Sequence, residues 1–430
     1  MVEINNFSIN NPRFQSLLSR QNEVSPDILE TVASILNDVR KNGDKALFKY
    51  MKKFDNIDLY KTNIIVTDAE FEKARKSVND DFKNALKQAC DNLLKYHQFQ
   101  LQKSYKVDYP DGVKLERVYK PIEHAGVTVP AGKAPLSSTL YMNLIPAIVA
   151  GVPEISIIAA PKNNTIDDAI LYIADYLEIK KVYKISGAQG IAALAFGTET
   201  ISPVDMIAGP GNVYVRTAKR LVYGNVGIDS LAGPSEIAII ADDSANPEFV
   251  AADMLSQAEH GTGLEASIVF CLNQEKAEEI KNNILRLIVK NDLEGAVSKS
   301  LREYGNIFIV NSLDEAVNAI NILAPEHAEI LTEDPEELIP YITNAGAIFA
   351  GEYSPEPVGD YYCGTNHVLP TGGTARFSSG LSVHNFIRSH SIIRYTKDAL
   401  NKNHEAIIKL ANTEGMKAHA LSVKVRMKSE

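Results

Sequence analysis

From residue 124 onward, short apolar runs alternate with helical stretches, and that alternation leaves very few architectures open. AGVTVP, EISIIAAP, KVYKISG and VDMIAG read as strands, with DDAILYIADYL, AQGIAALAFG and NVYVRTAKRLV as helices among them. A second set starts near residue 235. There SEIAIIAD, ASIVFCLN, NIFIVNS and GAIFAG read as strands, and NPEFVAADMLSQAEH, QEKAEEIKNNILRLIV and LDEAVNAINIL as helices. Such βαβ alternation implies a parallel sheet covered on both faces. Two sets in tandem imply two α/β units with a cleft, and ligands of such folds are expected at the carboxyl ends of the strands.

The 430 residues are too many for one ordinary core, so two to four structural units are expected. Before residue 124 the signals are helical. SPDILETVASILNDVRK opens with Ser25 as N-cap and Pro26 at the first helical position. TDAEFEKARKSV carries Thr67 and Glu70 at capping-box spacing. Asn246 and Pro247 start a later helix in the same way. The first residues are Asn-rich and weakly patterned and read as an arm; the tail from about residue 398 reads as helical and polar.

Composition removes several function classes. A net charge of −10 with no Lys/Arg cluster argues against a nucleic-acid partner. The longest apolar run, NLIPAIVAGVPEISIIAAP, is broken by three prolines and a glutamate, so no membrane span is expected. The polar start lacks the apolar core of a signal peptide. Cys90, Cys271 and Cys363 are widely separated and form no metal-binding pair. A reducing, cytoplasmic setting is the expectation.

Few motifs carry chemistry by themselves. GPGN at 209–212 lies between a strand-like and a helical run, where a phosphate-binding turn would lie. It is not GxGxxG, and its glycines alone are explained by a tight turn. In LSQAEHG at 255–261, Gln257 and His260 are three apart, which on a helix puts them on one face. His260, His327, His367 and His419 each adjoin a carboxylate, an amide or a glycine turn. Zinc or another borderline cation accepts such imidazole and oxygen donors, although no HExxH spacing exists. In APEHAEI, Glu326 and His327 are adjacent and can share proton-transfer work only if a turn at Pro325 makes them converge; on these residues alone an ordinary charged helix start is the better explanation. GDYYCGTNHVLPTGGTARFSSG at 359–380 reads as a functional loop, with Asp360 and His367 as its ligand or acid–base candidates.

Taken together, SQAEHG at 256–261, GPGN at 209–212, AGPSE at 232–236, APEHAE at 324–329, GTNHVLPTGGTARFSS at 364–379 and EGMKAHALSVKVR at 414–426 resemble the histidinol dehydrogenases, in family order along nearly the whole chain. The resemblance implies zinc held by Gln257, His260, Asp360 and His419. Chemistry alone would favour Glu259 over Gln257, because an anionic oxygen binds zinc better than a carboxamide. The resemblance further implies Glu326 and His327 as catalytic residues. Ser235, Gln257, His260, His327, Asp360, His367, Glu414 and His419 follow as substrate contacts. Thr128, Gln189 and Asn212 are its positions for NAD. Thr128 is a departure, since GVTVPAG stands where the family usually reads GVYVPGG and so loses an aromatic contact. The commoner GGAQA is SGAQG here, and TGLE follows SQAEHG in place of PDSQ.

The implied activity is oxidation of L-histidinol through the aldehyde to L-histidine with two NAD. The implied assembly is a homodimer in which Glu414 and His419 come from the second subunit. The expected fold is two tandem, incomplete Rossmann-like parallel-sheet domains, with an N-terminal arm (1–23) and a C-terminal helical tail (381–430) exchanged in the dimer. The first domain takes 24–127 and 238–380 with the metal site, and the second takes 128–237 with the nucleotide side. Two alternatives remain at this point: a related zinc-dependent dehydrogenase of another polar alcohol, and a non-catalytic zinc-binding homologue.

Overall fold

The computed structural model describes residues 2–19, 24–57, 60, 63–130, 136–261, 263–293 and 295–427. Residues 1 and 20–23 of the expected arm, and 131–132 of GVTVPAG, lie outside the described residues. The chain forms two compact units. The larger comprises Met1–Gln100 and Ile122–Phe386, the smaller Leu101–Pro121 and Ile387–Glu430.

The larger unit carries both parallel sheets. The first has six strands in the order Glu3–Asn6, Asn306–Ile309, Ala266–Cys271, Glu236–Ala241, His327–Leu331 and Ala347–Ala350. The second has five, in the order Lys181–Tyr183, Glu154–Ala159, His124–Val129, Met206–Ala208 and Gly227–Ile228. The βαβ pattern is therefore realised twice, and no described helix is long and apolar enough to cross a membrane.

Strand alternation explains the two cores of the first sheet. Ile237 and Ile239 point to one face and pack with Val250, Met254 and Leu255 of helix Pro247–Ala258. Ala238 and Ile240 point to the other and pack with Phe270, Phe308, Ile320 and Phe14. Phe14 changes the reading of the arm. Glu3–Asn6 is the edge strand, and Pro12–Ser19 is a helix whose Phe14 is wholly buried beside Phe7 at a ring separation of 5.1 Å. Burying one such ring contributes about 1.5–3 kcal/mol toward holding the segment on the sheet.

Local signals of helix starts are realised. Thr67 and Glu70 form the full capping box, and Asn246 caps the helix that Pro247 begins. Pro26 starts helix Pro26–Tyr50, although the Ser25 side chain makes no cap bond. The partner of that helix differs from expectation. Its Val32, Ile35, Leu36 and Val39 share a core with Ile158, Ile191, Leu194 and Val215, so it covers the second sheet and not the first. Helical periodicity defines an apolar face but not the sheet that receives it.

The smaller unit is an antiparallel sheet of Tyr105–Asp108, Lys114–Pro121 and Ile387–Arg394, followed by helices Lys397–Thr413 and Lys417–Arg426. The tail thus begins as a strand paired with residues 114–121. Its two helices bury only Ala399 and Ala420.

Candidate functional site

The site of the first sheet grows from one topological fact. A helix joining two parallel strands runs antiparallel to them, so helix Pro247–Ala258 ends at the amino edge of the sheet. Gln257 occupies its last turn and is fully buried. His260 lies beyond the helix rather than on it, because Gly261 at φ +95° turns the chain away. Its Nδ1 lies 3.2 Å from the carbonyl of Gln257, which keeps the two side chains together without a shared helix face.

The strand order reverses between Glu236–Ala241 and His327–Leu331, and the remaining groups enter at that point. Ala324, left-handed at φ +48°, and Pro325 turn the chain sharply into the strand that His327 begins. The adjacent pair is therefore at a strand start, not a helix start. The expected carboxyl-end location is corrected for this half: Ser235, Glu236, Glu326 and His327 all stand at amino ends of strands. The positions carried over for the nucleotide follow the expected rule. Thr128 lies near the end of His124–Val129, and Gly209 follows Met206–Ala208. Residues 229–235 lead directly from the second sheet to the first.

Glu326 Oε2 accepts the amide of Glu236 at 3.3 Å, and Ser235 also bonds this carboxyl. Burial nevertheless pushes Glu326 well above the usual carboxylate range. His327 Nδ1–H donates to Gln257 Oε1 at 3.0 Å, which leaves Nε2 as the basic nitrogen, buried and without a hydrogen-bond partner. Burial pushes His327 down to about 4, so it is neutral at physiological pH and can accept a proton. Two residues further, on the same face of the strand, Glu329 meets Asp253 of the covering helix, and burial raises both carboxyls.

Segment 356–367 closes the cluster. Helix Glu356–Tyr361 carries Glu356 and Asp360 four apart, on one face. Asp360 Oδ2 is 3.8 Å from His260 Nε2 and its Oδ1 is 3.9 Å from His367 Nδ1. The Asp360 carbonyl lies 3.0 Å from that same nitrogen. Ser256 donates to Glu356 Oε2 at 3.1 Å. Ligand atoms of His260, Glu356 and Asp360 all lie within 4.8 Å of one another. Burial, then the Glu356 carboxyl, pushes Asp360 up to about 9, and burial pushes His367 down to about 4. An Asp360 carboxyl that resists ionisation beside a His367 imidazole that resists protonation is the kind of donor pair a divalent cation stabilises. The residues present fit a metal. Sequence reasoning missed Glu356; the only signal was its position four before Asp360, which a helix-start acid behind Pro355 explains as well.

In the second sheet Gln189 is buried, and its Nε2 donates to Asp55 at 3.2 Å. Asn212 caps helix Val213–Val222, with Oδ1 accepting Tyr214 N and Val215 N at 3.0 and 3.1 Å. Thr128 is buried under the GPGN turn. A Cβ at Gly209, where φ is +109°, would stand 2.3 Å from the Thr128 carbonyl. Gly209→Ala is expected to cost about 1–3 kcal/mol from crowding alone and to weaken NADH binding, read by chemical denaturation and fluorescence titration. Unchanged values in both would remove the turn from the nucleotide side. Glu414 and His419 belong to the smaller unit and are exposed there, at the junction of its two helices.

Comparisons with known proteins agree with this geometry. A family model described as histidinol dehydrogenase matches residues 18–427. The histidinol dehydrogenase of Clostridium acetobutylicum is 45% identical over 416 residues, covering 96% of each chain. That of Bacillus subtilis is 46% identical over 398 residues, covering 92% of each. The crystal structure of histidinol dehydrogenase from Elizabethkingia anophelis is 37% identical and superposes with a TM-score of 0.92 over 100% of this chain and 98% of that one. The two parallel sheets, the cluster at their strand ends and these relatives have one reading: the chain belongs to the histidinol dehydrogenase family.

Proposed function

We propose that this protein oxidises L-histidinol through L-histidinal to L-histidine with two NAD, the last steps of histidine biosynthesis. The observation that carries the reading is the bare, buried Nε2 of His327, next to Glu326 and to the donor cluster of Gln257, His260 and Asp360. Zinc, when bound by Gln257, His260, Asp360 and a His419 from a second copy, supplies a template for the substrate's imidazole and amino nitrogens. NAD, when bound near Thr128, Gln189 and Asn212, supplies the hydride acceptor.

The chain's own groups handle the protons. In the first oxidation His327 Nε2 takes the hydroxyl proton as hydride leaves the carbinol carbon. In the second, Glu326 takes a proton from water as the water oxygen adds to the aldehyde carbon, and His327 returns its proton to the aldehyde oxygen to give the hydrate. His327 then takes the hydroxyl proton of the hydrate as the second hydride leaves. Gln257 Oε1 keeps His327 in the tautomer that both steps need. Once ionised, a carboxyl raised by burial is a stronger base than an ordinary one, which suits Glu326 to deprotonating water. Ser235 and His367 border the same cluster as substrate contacts.

A shared site in a homodimer is part of the proposal. What supports it is the exposure of the smaller unit: Leu410, Leu421 and Val425 are half or more exposed, beside Glu414 and His419. An anionic Glu414 suits the amino group of histidinol.

The test is a steady-state assay on histidinol with NAD and NADP, before and after chelation. Histidinol-dependent NADH formation is expected, lost on metal removal and restored by zinc. Oxidation of another polar alcohol but not of histidinol would favour a different substrate. No oxidation of any alcohol would leave a non-catalytic zinc protein.

A further inference from the structure

Glu356 stands outside the four residues assigned above to the metal, yet it is built into their cluster. Its side chain is 1% exposed. One oxygen takes the hydroxyl of Ser256 at 3.1 Å, and the other is buried, with the Asp360 carboxyl as its neighbour. Two buried carboxyls that face each other are costly to ionise, and they cost least where a cation satisfies both. The Glu356 carboxyl belongs to a group of three whose ligand atoms lie within 4.8 Å of one another, the others being His260 and Asp360. Ligands about 2.0–2.2 Å from a tetrahedral zinc ion are about 3.3–3.6 Å apart, so the three need an inward movement of about 1 Å or less to share one ion. His260 and Asp360, at 3.8 Å, are within a few tenths of an ångström of that separation.

Two local features aim Glu356 at the ion position. Pro355 precedes helix Glu356–Tyr361 and puts Glu356 in its first turn, four residues before Asp360. Ser256 is the neighbour of Gln257, so the hydrogen bond that orients Glu356 comes from the same turn that carries the amide donor.

We propose that Glu356, His260 and Asp360 form a cation site complete within one chain, so that the protein takes up a divalent metal of the zinc class without His419. The inference rests on reading the cluster as the metal centre. It adds that metal loading and the assembly of shared sites are separable events. The exposed histidine of the smaller unit then completes a centre that is already loaded.

The experiment is a zinc titration of metal-stripped protein against a chromophoric chelator, for the wild type, Glu356→Gln, His419→Ala and the double variant. Glutamine keeps the shape and can still accept from Ser256, so the fold is retained while the charge is lost; Glu356→Asp is a second variant should Glu356→Gln prove unstable. His419→Ala is expected to bind one zinc per chain within about tenfold of wild-type affinity. Glu356→Gln is expected to bind about 10–100-fold more weakly, and the double variant more weakly than either. A His419→Ala protein that takes up no zinc overturns the proposal whatever becomes of the Glu356 variants, and so does Glu356→Gln with wild-type affinity. Wild-type protein that binds no zinc overturns the metal-centre reading itself, which separates the two failures.

Discussion

Glu326→Gln is expected to hold zinc at the wild-type level and to reduce the first equivalent of NAD, yet to convert the aldehyde to the acid at least about a hundredfold more slowly. The substitution preserves shape. A carboxamide oxygen can still accept the amide of Glu236 and the bond to Ser235, so the strand start is not disturbed. What disappears is the capacity to take a proton from water. The first oxidation needs only His327, whose Nε2 and tautomer are set by Gln257 and not by Glu326. Rapid-mixing measurements of NADH from histidinol and from histidinal separate the two halves, and metal analysis checks the zinc. Equal losses in both halves would assign Glu326 to general positioning. No loss in the second would remove it from the chemistry.

Asp229→Ala is expected to lower stability by about 3–5 kcal/mol, the range for removing one partner of a buried ion pair. Asp229 and Lys219 are paired with side chains only 2% and 3% exposed. Together they hold Gly209 by both backbone groups: Gly209 N donates to Asp229 Oδ2 at 2.7 Å, and Lys219 Nζ donates to Gly209 O at 2.8 Å. Alanine leaves a buried ammonium with a carbonyl but no counter-charge, and the GPGN turn loses half of its clamp. Adding Lys219→Met to Asp229→Ala is expected to recover part of the loss, since the uncompensated charge goes with it. Urea midpoints of the single and double variants give the comparison. A single variant within about 1 kcal/mol of wild type would mean that Lys219 finds water or another acceptor. The pair also couples stability to function, so the KM for NAD should rise in Asp229→Ala while that for histidinol stays close to wild type.

Short-range features were readable wherever the physics is short-range. The Thr67–Glu70 box and the Asn246 cap depend on bonds spanning three residues or fewer, and both form. Strands such as EIAIIA and ASIVFC are buried along their whole length, as their mostly apolar runs require of central parallel strands. The choice of partner for helix Pro26–Tyr50 was not readable, because its apolar stripe suits either sheet. The edge strand Glu3–Asn6 was not readable either. EINN has no strand-like alternation, and its place depends on the free edge of Asn306–Ile309 and on the pocket that receives Phe14.

The candidate site divides along the same line. Its residue types were legible from family motifs, but no spacing along the chain brings 257 and 260 to 326, 327, 356 and 360. The amino-end location inverts the usual rule for α/β sheets, because the donors ride on the end of a returning helix rather than on the loop after a strand. Glu356 carried no motif, and only its burial against the Asp360 carboxyl marks it.

By itself the amino-acid order determined the fold class, the helix starts and the family, because periodicity, capping and motif strings are written along the chain. Tertiary structure alone decided which edge of the sheet holds the chemistry, which nitrogen of His327 is basic, and that Glu356 joins Asp360 and His260. Those are contacts between segments as much as about a hundred residues apart, and side-chain packing, not sequence spacing, sets such distances.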